Sequence, residues 1–311
     1  MGWLRRAHPS ELLTRGVVLS AGADTGAMAD WASTAAPRVL RALRVIHPLP
    51  CTINALVVVS LAVVAEASQA TAATLGISMF ACQASIGAVN DVCDSPADRI
   101  AKPTKPIPAG DIDAKAATAI GIGAGSIGLL LSATFGAQVL VLGAAGLACG
   151  LAYDLRLKQA GLGWLCFALA FPVLLAWTWL AAADVLPPGW PLLLPLAALA
   201  GPTIHLANSL VDVESDVRVG TPSLATRLGR SRGLVALTGL SAILWSCAWA
   251  VLLSLPAAPR ECLLAALGAT GLGWLGVTAS WAEDPNTRER GWLLQASALG
   301  LLAVAWVVAA G

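Results

Sequence analysis

The stretch "VNDVCDSPADR" (89–99) places three carboxylates, Asp91, Asp94 and Asp98, within eight consecutive positions, directly after an apolar run. Acids packed this closely repel one another, so a metal ion, a basic group or water at a membrane surface must offset them. A second stretch, "NSLVDVESD" (208–216), repeats the arrangement: Asn90, Asp94 and Asp98 in one, Asn208, Asp212 and Asp216 in the other, follow at four-residue intervals. That interval brings side chains onto one helix face, so each stretch offers a column of oxygen-bearing groups. Solvated acids at a helix end would explain either stretch alone; matching spacing and matching position argue against that for both. An oxygen-only set without His or Cys suits Mg2+, which typically takes one or two carboxylates, waters and substrate phosphates. The two columns point to a diphosphate held through magnesium.

The elements that must position these groups are membrane helices. Only 12% of the 311 residues are charged, and the mean hydropathy is +0.76, against about a quarter charged in soluble domains. Nine apolar stretches approach the roughly 20 residues needed to cross a bilayer: 49–67, 69–90, 115–134, 136–153, 162–183, 190–210, 233–254, 261–281 and 291–310. The expected fold is therefore all-α, a polytopic membrane protein of nine transmembrane helices. Both acidic stretches end an even-numbered helix, the second and the sixth, which suggests two four-helix repeats around a central cavity.

Of the 19 Lys and Arg residues, all but Arg260 fall in loops on one side, which the positive-inside rule makes the cytoplasm. The N-terminus and both acidic stretches share that side. Residues 1–40 read as a cytoplasmic extension without a cleavable leader, ahead of a transmembrane unit over 41–311. The seven cysteines lie mostly inside apolar segments and form no CxxC pair, so they read as small packing residues. No patch for nucleic acid is evident.

The loop "LAYDLRLKQAG" (151–161) carries Tyr153, the single tyrosine of the chain, with Asp154, Arg156 and Lys158. A hydroxyl and two cations suit phosphate oxygens; an interfacial aromatic among topology-required basic residues is the plainer alternative. Lys102, Lys105 and Arg218 are open to the same two readings. His47 and Asn54 lie at the start of the first apolar segment, where polar groups at membrane depth are often functional. His205, three residues before Asn208, points roughly toward the second column and is either a working group or a packed polar one. Phe167, Phe171, Trp177 and Trp179 either line a cavity or fill the membrane core.

These residues resemble the UbiA superfamily of intramembrane prenyltransferases. Its first motif, NDxxDxxxD, is matched by Asn90, Asp91, Asp94 and Asp98, and "KPIPAG" (105–110) is similar to its continuation. Its second motif is similar to "DVESDVRVGTPSLATRLG" (212–229), and Tyr153, Asp154 and Lys158 approximate its YSxxLK loop, with Asp154 where many members have serine. "RVIHPLPCTINA" (44–55) has His47-Pro48 where members that prenylate aromatic acids have Arg-Pro. The first stretch resembles the chlorophyll, homogentisate and archaeal-lipid branches, and the second the naphthoate branch, so the acceptor stays open.

The resemblance implies a helical bundle around a cavity open to lipid in a prokaryotic cell membrane, with the active site facing the cytoplasm. It implies Mg2+ as cofactor, with Asn90, Asp94, Asp98, Asp212 and Asp216 as ligands and Asp94, Asp98, Asp212 and Asp216 catalytic. Asn90, Asp91, Lys102, Tyr153, Lys158, Asn208 and Arg218 would bind prenyl diphosphate, and Asn54 and His47 would face a hydrophobic acceptor. Membrane lipids are the surrounding partner. A terpene cyclase that quenches the cation internally is the alternative. An ion-coupled transporter fits less well, because transporters place charges near the midplane and these acids lie at the rim.

Overall fold

The computed structural model describes residues 38–187, 189–254 and 259–310; the expected extension over 1–40 lies, apart from its last three residues, outside them. No strand occurs among the described residues. The helices are α1 (Arg38–Ala42), α2 (Pro48–Val64), α3 (Gln69–Ala101), α4 (Ala114–Ala133), α5 (Ala137–Ala152), α6 (Gly163–Ala183), α7 (Trp190–Val211), α8 (Val213–Val219), α9 (Leu224–Leu228), α10 (Arg230–Ser254), α11 (Arg260–Ser280) and α12 (Pro285–Ala310).

Among the described residues, seven helices are long and apolar enough to cross a membrane, or eight if the bent pair Val39–Ile46 and Pro48–Val64, meeting at 49°, is one span. Nine were expected. The ninth segment, 291–310, forms most of α12, which carries Arg288, Glu289 and Arg290 near its start and is not one of those seven. Large apolar side chains stand exposed on several helices, among them Ile77, Leu130, Val141 and Leu253. On a soluble protein so many would be a liability; on membrane spans they face lipid.

Two of the four apolar clusters among the described residues bind the long helices together. Val58, Leu75, Val139 and Trp177 pack α2, α3, α5 and α6 together, while Leu61, Trp179, Leu196, Trp245, Ala269 and Trp306 join α2 and α6 to α7, α10, α11 and α12. Trp177 and Trp179 are thus core residues. Where apolar burial is not a driving force, close backbone approach and buried polar links carry the packing. A Cβ on Gly276 would sit 2.5 Å from the Gly291 carbonyl oxygen, so only glycine lets α11 and α12 touch there. Between α3 and α4, the Ser78 hydroxyl donates to the Gly128 carbonyl at 2.8 Å and lies 3.1 Å from the Ser132 hydroxyl.

Length places the first motif. The 33 residues of α3 rise about 50 Å at 1.5 Å each, against a hydrocarbon core of about 30 Å. Roughly the first 20 residues complete the crossing, so the helix leaves the apolar layer near Asn90 and carries the acids beyond it. Pro96 lies inside this projecting part, where it cannot donate to the Val92 carbonyl. The Ser95 hydroxyl serves that carbonyl instead, at 3.0 Å, and the helix runs on.

Candidate active site at the membrane rim

Two faces of α3 do different things. At about 100° per residue, Asp94 lies about 40° around the helix from Asn90, whereas Asp98 lies only about 20° from Asp91. Asp91 and Asp98 accordingly share one cation: Lys105 Nζ donates to Asp91 Oδ1 at 2.9 Å and to Asp98 Oδ2 at 2.7 Å. Burial opposes the charge on Lys105, but the bonds to both carboxylates outweigh it and raise its pKa above the usual lysine value. Asp91 Oδ1 also lies 3.0 Å from His47 Nε2. His47 precedes Pro48 in a left-handed conformation (φ 52°), where the chain turns into α2. Gly87, one turn before Asp91, leaves room for the ring, since a Cβ there would sit 3.0 Å from His47 Cδ2.

The other face is zipped to the end of α5. That helix continues as a π-helical turn over Tyr153–Leu157, closed by Lys158 N–H donating to the Tyr153 carbonyl at 2.9 Å. Single π turns inside α-helices often mark functional sites. Both segments run toward the same side of the membrane, so their residues pair with a constant offset. Asn90 Nδ2 donates to Asp154 Oδ1 at 2.8 Å, and one turn on Lys158 Nζ donates to Asp94 Oδ2 at 2.7 Å. Asp154 is buried, 3% exposed, and its Oδ2 has no hydrogen-bond partner among the described residues.

The second motif differs from a single column. α7 ends at Val211, Asp212 sits at the break (φ −110°, ψ 18°), and α8 starts at Val213. Asn208, Asp212 and Asp216 nevertheless line one cavity of about 140 Å³ together with Tyr153, Lys158 and His205. Burial, and then the neighbouring Asp212 charge, push the Asp216 carboxyl above its ordinary value, with Lys158 and Lys102 opposing. Lys158 is therefore the link between the motifs, bonded to Asp94 and exposed to the cavity of Asp212 and Asp216. Between those acids Glu214 points the other way, gripped by Arg288 through two bonds of 2.7 Å and lying 3.1 Å from Arg230. Arg288 is only 3% exposed, so α8 is fastened to the protein from behind.

Two rings that line the cavity, Tyr153 and His205, pack on Phe167. The Tyr153 ring meets Phe167 edge-on at 5.8 Å and His205 at 6.0 Å, and Phe167 lies 4.7 Å from His205. His205 is buried, with Nδ1 unpartnered among the described residues. Gly163 makes space for this cluster, since a Cβ there would sit 2.6 Å from Tyr153 Cε2.

The sequence-derived site residues thus fall into groups. Asn90, Asp94, Tyr153, Lys158, Asn208, Asp212 and Asp216 gather around or beside the cavity. Asp91, Asp98 and His47 belong to the Lys105 cluster behind it. Lys102 is exposed at the end of α3, near enough to Asp216 to act on its charge, and Arg218 is exposed on α8. Asn54 donates to the Pro50 carbonyl of its own helix at 3.0 Å and is not part of the cavity wall. Asp154 and Lys105 are drawn in with more contacts than their sequence signals promised, as are the cavity residues Thr221 and Ser223.

A divalent cation fits this donor set. No three His, Cys, Asp or Glu side chains converge as a ready-made metal site among the described residues. Mg2+ does not require that, because it usually takes one or two carboxylates and completes its shell with water and phosphate. Asn90, Asp94, Asp212 and Asp216 supply hard oxygen donors, and the Asp212 charge lies close enough to add to the cost of ionising Asp216.

Membrane-crossing helices that converge at one rim on a polar, acid-rich cavity define an integral membrane protein with a site for a charged ligand. The chain belongs to the UbiA prenyltransferase family, whose model matches residues 51–308. Solved structures share the fold. A digeranylgeranylglyceryl phosphate synthase is 17% identical with a TM-score of 0.69, the match covering 88% of this chain and 98% of that one. A UbiA homologue from Archaeoglobus fulgidus, bound to GPP and Mg2+, is 18% identical with a TM-score of 0.67, covering 87% and 100%. A UbiA homologue from Aeropyrum pernix K1 is 17% identical with a TM-score of 0.68, covering 83% and 97%. None of the curated proteins matches the chain in sequence.

Proposed function

We propose that the chain is a Mg2+-dependent prenyltransferase, moving an isoprenoid from an allylic prenyl diphosphate to a hydrophobic acceptor, aromatic or a lipid precursor, and releasing diphosphate. The observation that carries this reading is the cavity in which Lys158, held by Asp94 of the first motif, faces Asp212 and Asp216 of the second. The A. fulgidus homologue was solved with GPP and with DMAPP, each with Mg2+, which supports the same ligand class here.

In this reading Asn90, Asp94, Asp212 and Asp216 would hold Mg2+, which when bound would neutralise the diphosphate; Asp98, expected from the motif as a fifth ligand, is turned to Lys105 instead. Lys102, Lys158, Arg218, Asn208 and the Tyr153 hydroxyl contact phosphate oxygens. The allylic C–O bond breaks and its electron pair leaves with the diphosphate; fixed cations stabilise charge that grows in that step. Lys158 is placed for this, because it can exchange its Asp94 contact for a phosphate oxygen without moving far. A carbon–acceptor bond forms at the freed carbon, and the acceptor loses a proton. The Phe167, Tyr153 and His205 wall keeps that carbon away from water, which would otherwise capture it. The excess of Lys and Arg in the loops on this side supports a site facing the cytoplasm, and in this reading the membrane is a prokaryotic cell membrane.

The test is diphosphate release by the purified protein with geranyl, farnesyl and geranylgeranyl diphosphates, with and without Mg2+ and with aromatic or glycerol-phosphate acceptors. Release that needs both Mg2+ and an acceptor is expected. Release without any acceptor, giving a hydrocarbon or an alcohol, would replace the transferase by a cyclase.

A further inference from the structure

We propose that Asp154 is a positioning residue for metal binding: by accepting from the Asn90 amide, it turns the Asn90 carbonyl oxygen toward the divalent cation. The inference rests on the reading in which Asn90 is a metal ligand.

An asparagine side chain has two ends of nearly equal size and opposite chemistry. Only the oxygen can bind a hard cation, and the NH2 end repels one. Something must therefore decide which end faces the site. Asn90 Nδ2 lies 2.8 Å from Asp154 Oδ1, and a carboxylate oxygen there accepts and so selects the nitrogen. The Asn90 oxygen is then directed away from Asp154. A residue that could both donate and accept at position 154 would leave the choice open.

The burial of Asp154 points the same way. The carboxylate is 3% exposed, with one oxygen satisfied by Asn90 and the other unpartnered among the described residues. A half-satisfied buried carboxylate costs stability, which filling space does not explain. The local charge is also unbalanced. Asp94 and Asp154 bring two negative charges and Lys158 brings one positive, so an arriving dication meets a net negative site rather than a neutral one. The π turn is what presents both residues, since it carries Asp154 within it and Lys158 at its end, each against its own turn of α3.

The test is Mn2+ binding to the full-length protein in detergent, read from the electron paramagnetic resonance signal of free Mn2+. Mn2+ suits the same oxygen ligands as Mg2+. Asp154→Asn keeps the size and is expected to weaken Mn2+ binding by about 10-fold or more, the range seen when outer partners of metal ligands are lost. Its melting temperature should stay near wild type. In the Asn90→Asp background a carboxylate at position 90 needs no orienting, so Asp154→Asn there should weaken Mn2+ binding far less than it does beside Asn90. A role in packing or in charge alone would give the same loss in both backgrounds and would overturn the proposal, as would Asp154→Asn binding Mn2+ like wild type. A wild-type protein that binds no Mn2+ would overturn the metal reading itself, and this inference with it.

Discussion

Asp94 and Asp98 lie on an unbroken helix and are bonded to Lys158 and Lys105, whereas Asp212 and Asp216 straddle a helix break beside an open cavity. The four-residue spacing is the same in both places. What differs is the local backbone and the supply of cations. Each acid of the first motif is bonded to one of the chain's own lysines before any ligand arrives, so its acids are held in place. The second sets two acids beside the cavity without a direct lysine bond: burial, and then the Asp212 charge, raise the Asp216 pKa, and Lys158 and Lys102 oppose this only as nearby charges. One motif is a mount and the other an opening, and Lys158 stands between them.

Four outcomes would sharpen or break that contrast. The largest effect is expected at the opening. Asp212→Ala should lower turnover by at least about a thousandfold, some 4 kcal/mol of transition-state stabilisation, while far-UV circular dichroism stays that of the wild type. Retained turnover there would leave the second motif without a role.

Next come the two lysines, which should separate. Lys105→Met strands the buried Asp91 and Asp98 carboxylates and should cost about 3–5 kcal/mol of stability, seen as a lower melting temperature in detergent. Lys158→Met touches partly exposed groups and should instead lower kcat/KM by about 100-fold, near the loss of one donor to a developing charge, with little change in melting. If the two variants behave alike, the division between mount and opening is wrong.

A smaller effect is expected behind the second motif. Glu214→Gln loosens the Arg288 clamp on α8 and should cost about 1 kcal/mol, since Glu214 is half exposed and solvent screens the pair. Burial would raise the Glu214 pKa, but the Arg288 bonds and the nearby Arg230 hold it below the usual value. Its contribution is then full above the ordinary glutamate range and lost as pH falls through the lowered folded-state pKa. The wild type should therefore lose stability more steeply on acidification than Glu214→Gln, measured by melting temperature against pH.

The smallest concerns space. Gly163→Ala puts a methyl 2.6 Å from the Tyr153 ring and 3.2 Å from His205 Cε1. It should raise KM for the prenyl diphosphate several-fold while leaving the metal requirement unchanged, checked by kinetics at saturating and limiting Mg2+.

Much of the fold was legible because membrane spans are written as runs of about 20 apolar residues, and α3 to α7 fall close to the expected segments. The presence of two acidic clusters was legible from spacing alone, although Asp98 joins Asp91 at Lys105 instead of standing in one column with Asn90 and Asp94. The break at Asp212 was not, because no Gly or Pro marks it: "LVDVES" reads as continuous helix. The partners were not legible either. Lys105 returns to Asp91 and Asp98 only because the chain after Lys102 folds back on α3, and His47 meets Asp91 across 44 residues of sequence. His47 was expected beside an acceptor, and the structure shows it bonded to an acid of the first motif. The π turn at Tyr153 has no sequence mark, yet it decides that Lys158 faces Asp94 and that Asp154 faces Asn90.

The central claim is that both motifs act on one diphosphate in one site. The most direct measurement is the affinity of geranyl diphosphate in the presence of Mg2+, by calorimetry, for wild type, Asp94→Ala, Asp212→Ala and the double variant. Groups that work as a unit are strongly non-additive, so either single substitution should remove most of the Mg2+-dependent affinity and the double should be scarcely worse. Losses that add in full, or a single variant that binds like wild type, would contradict a shared site.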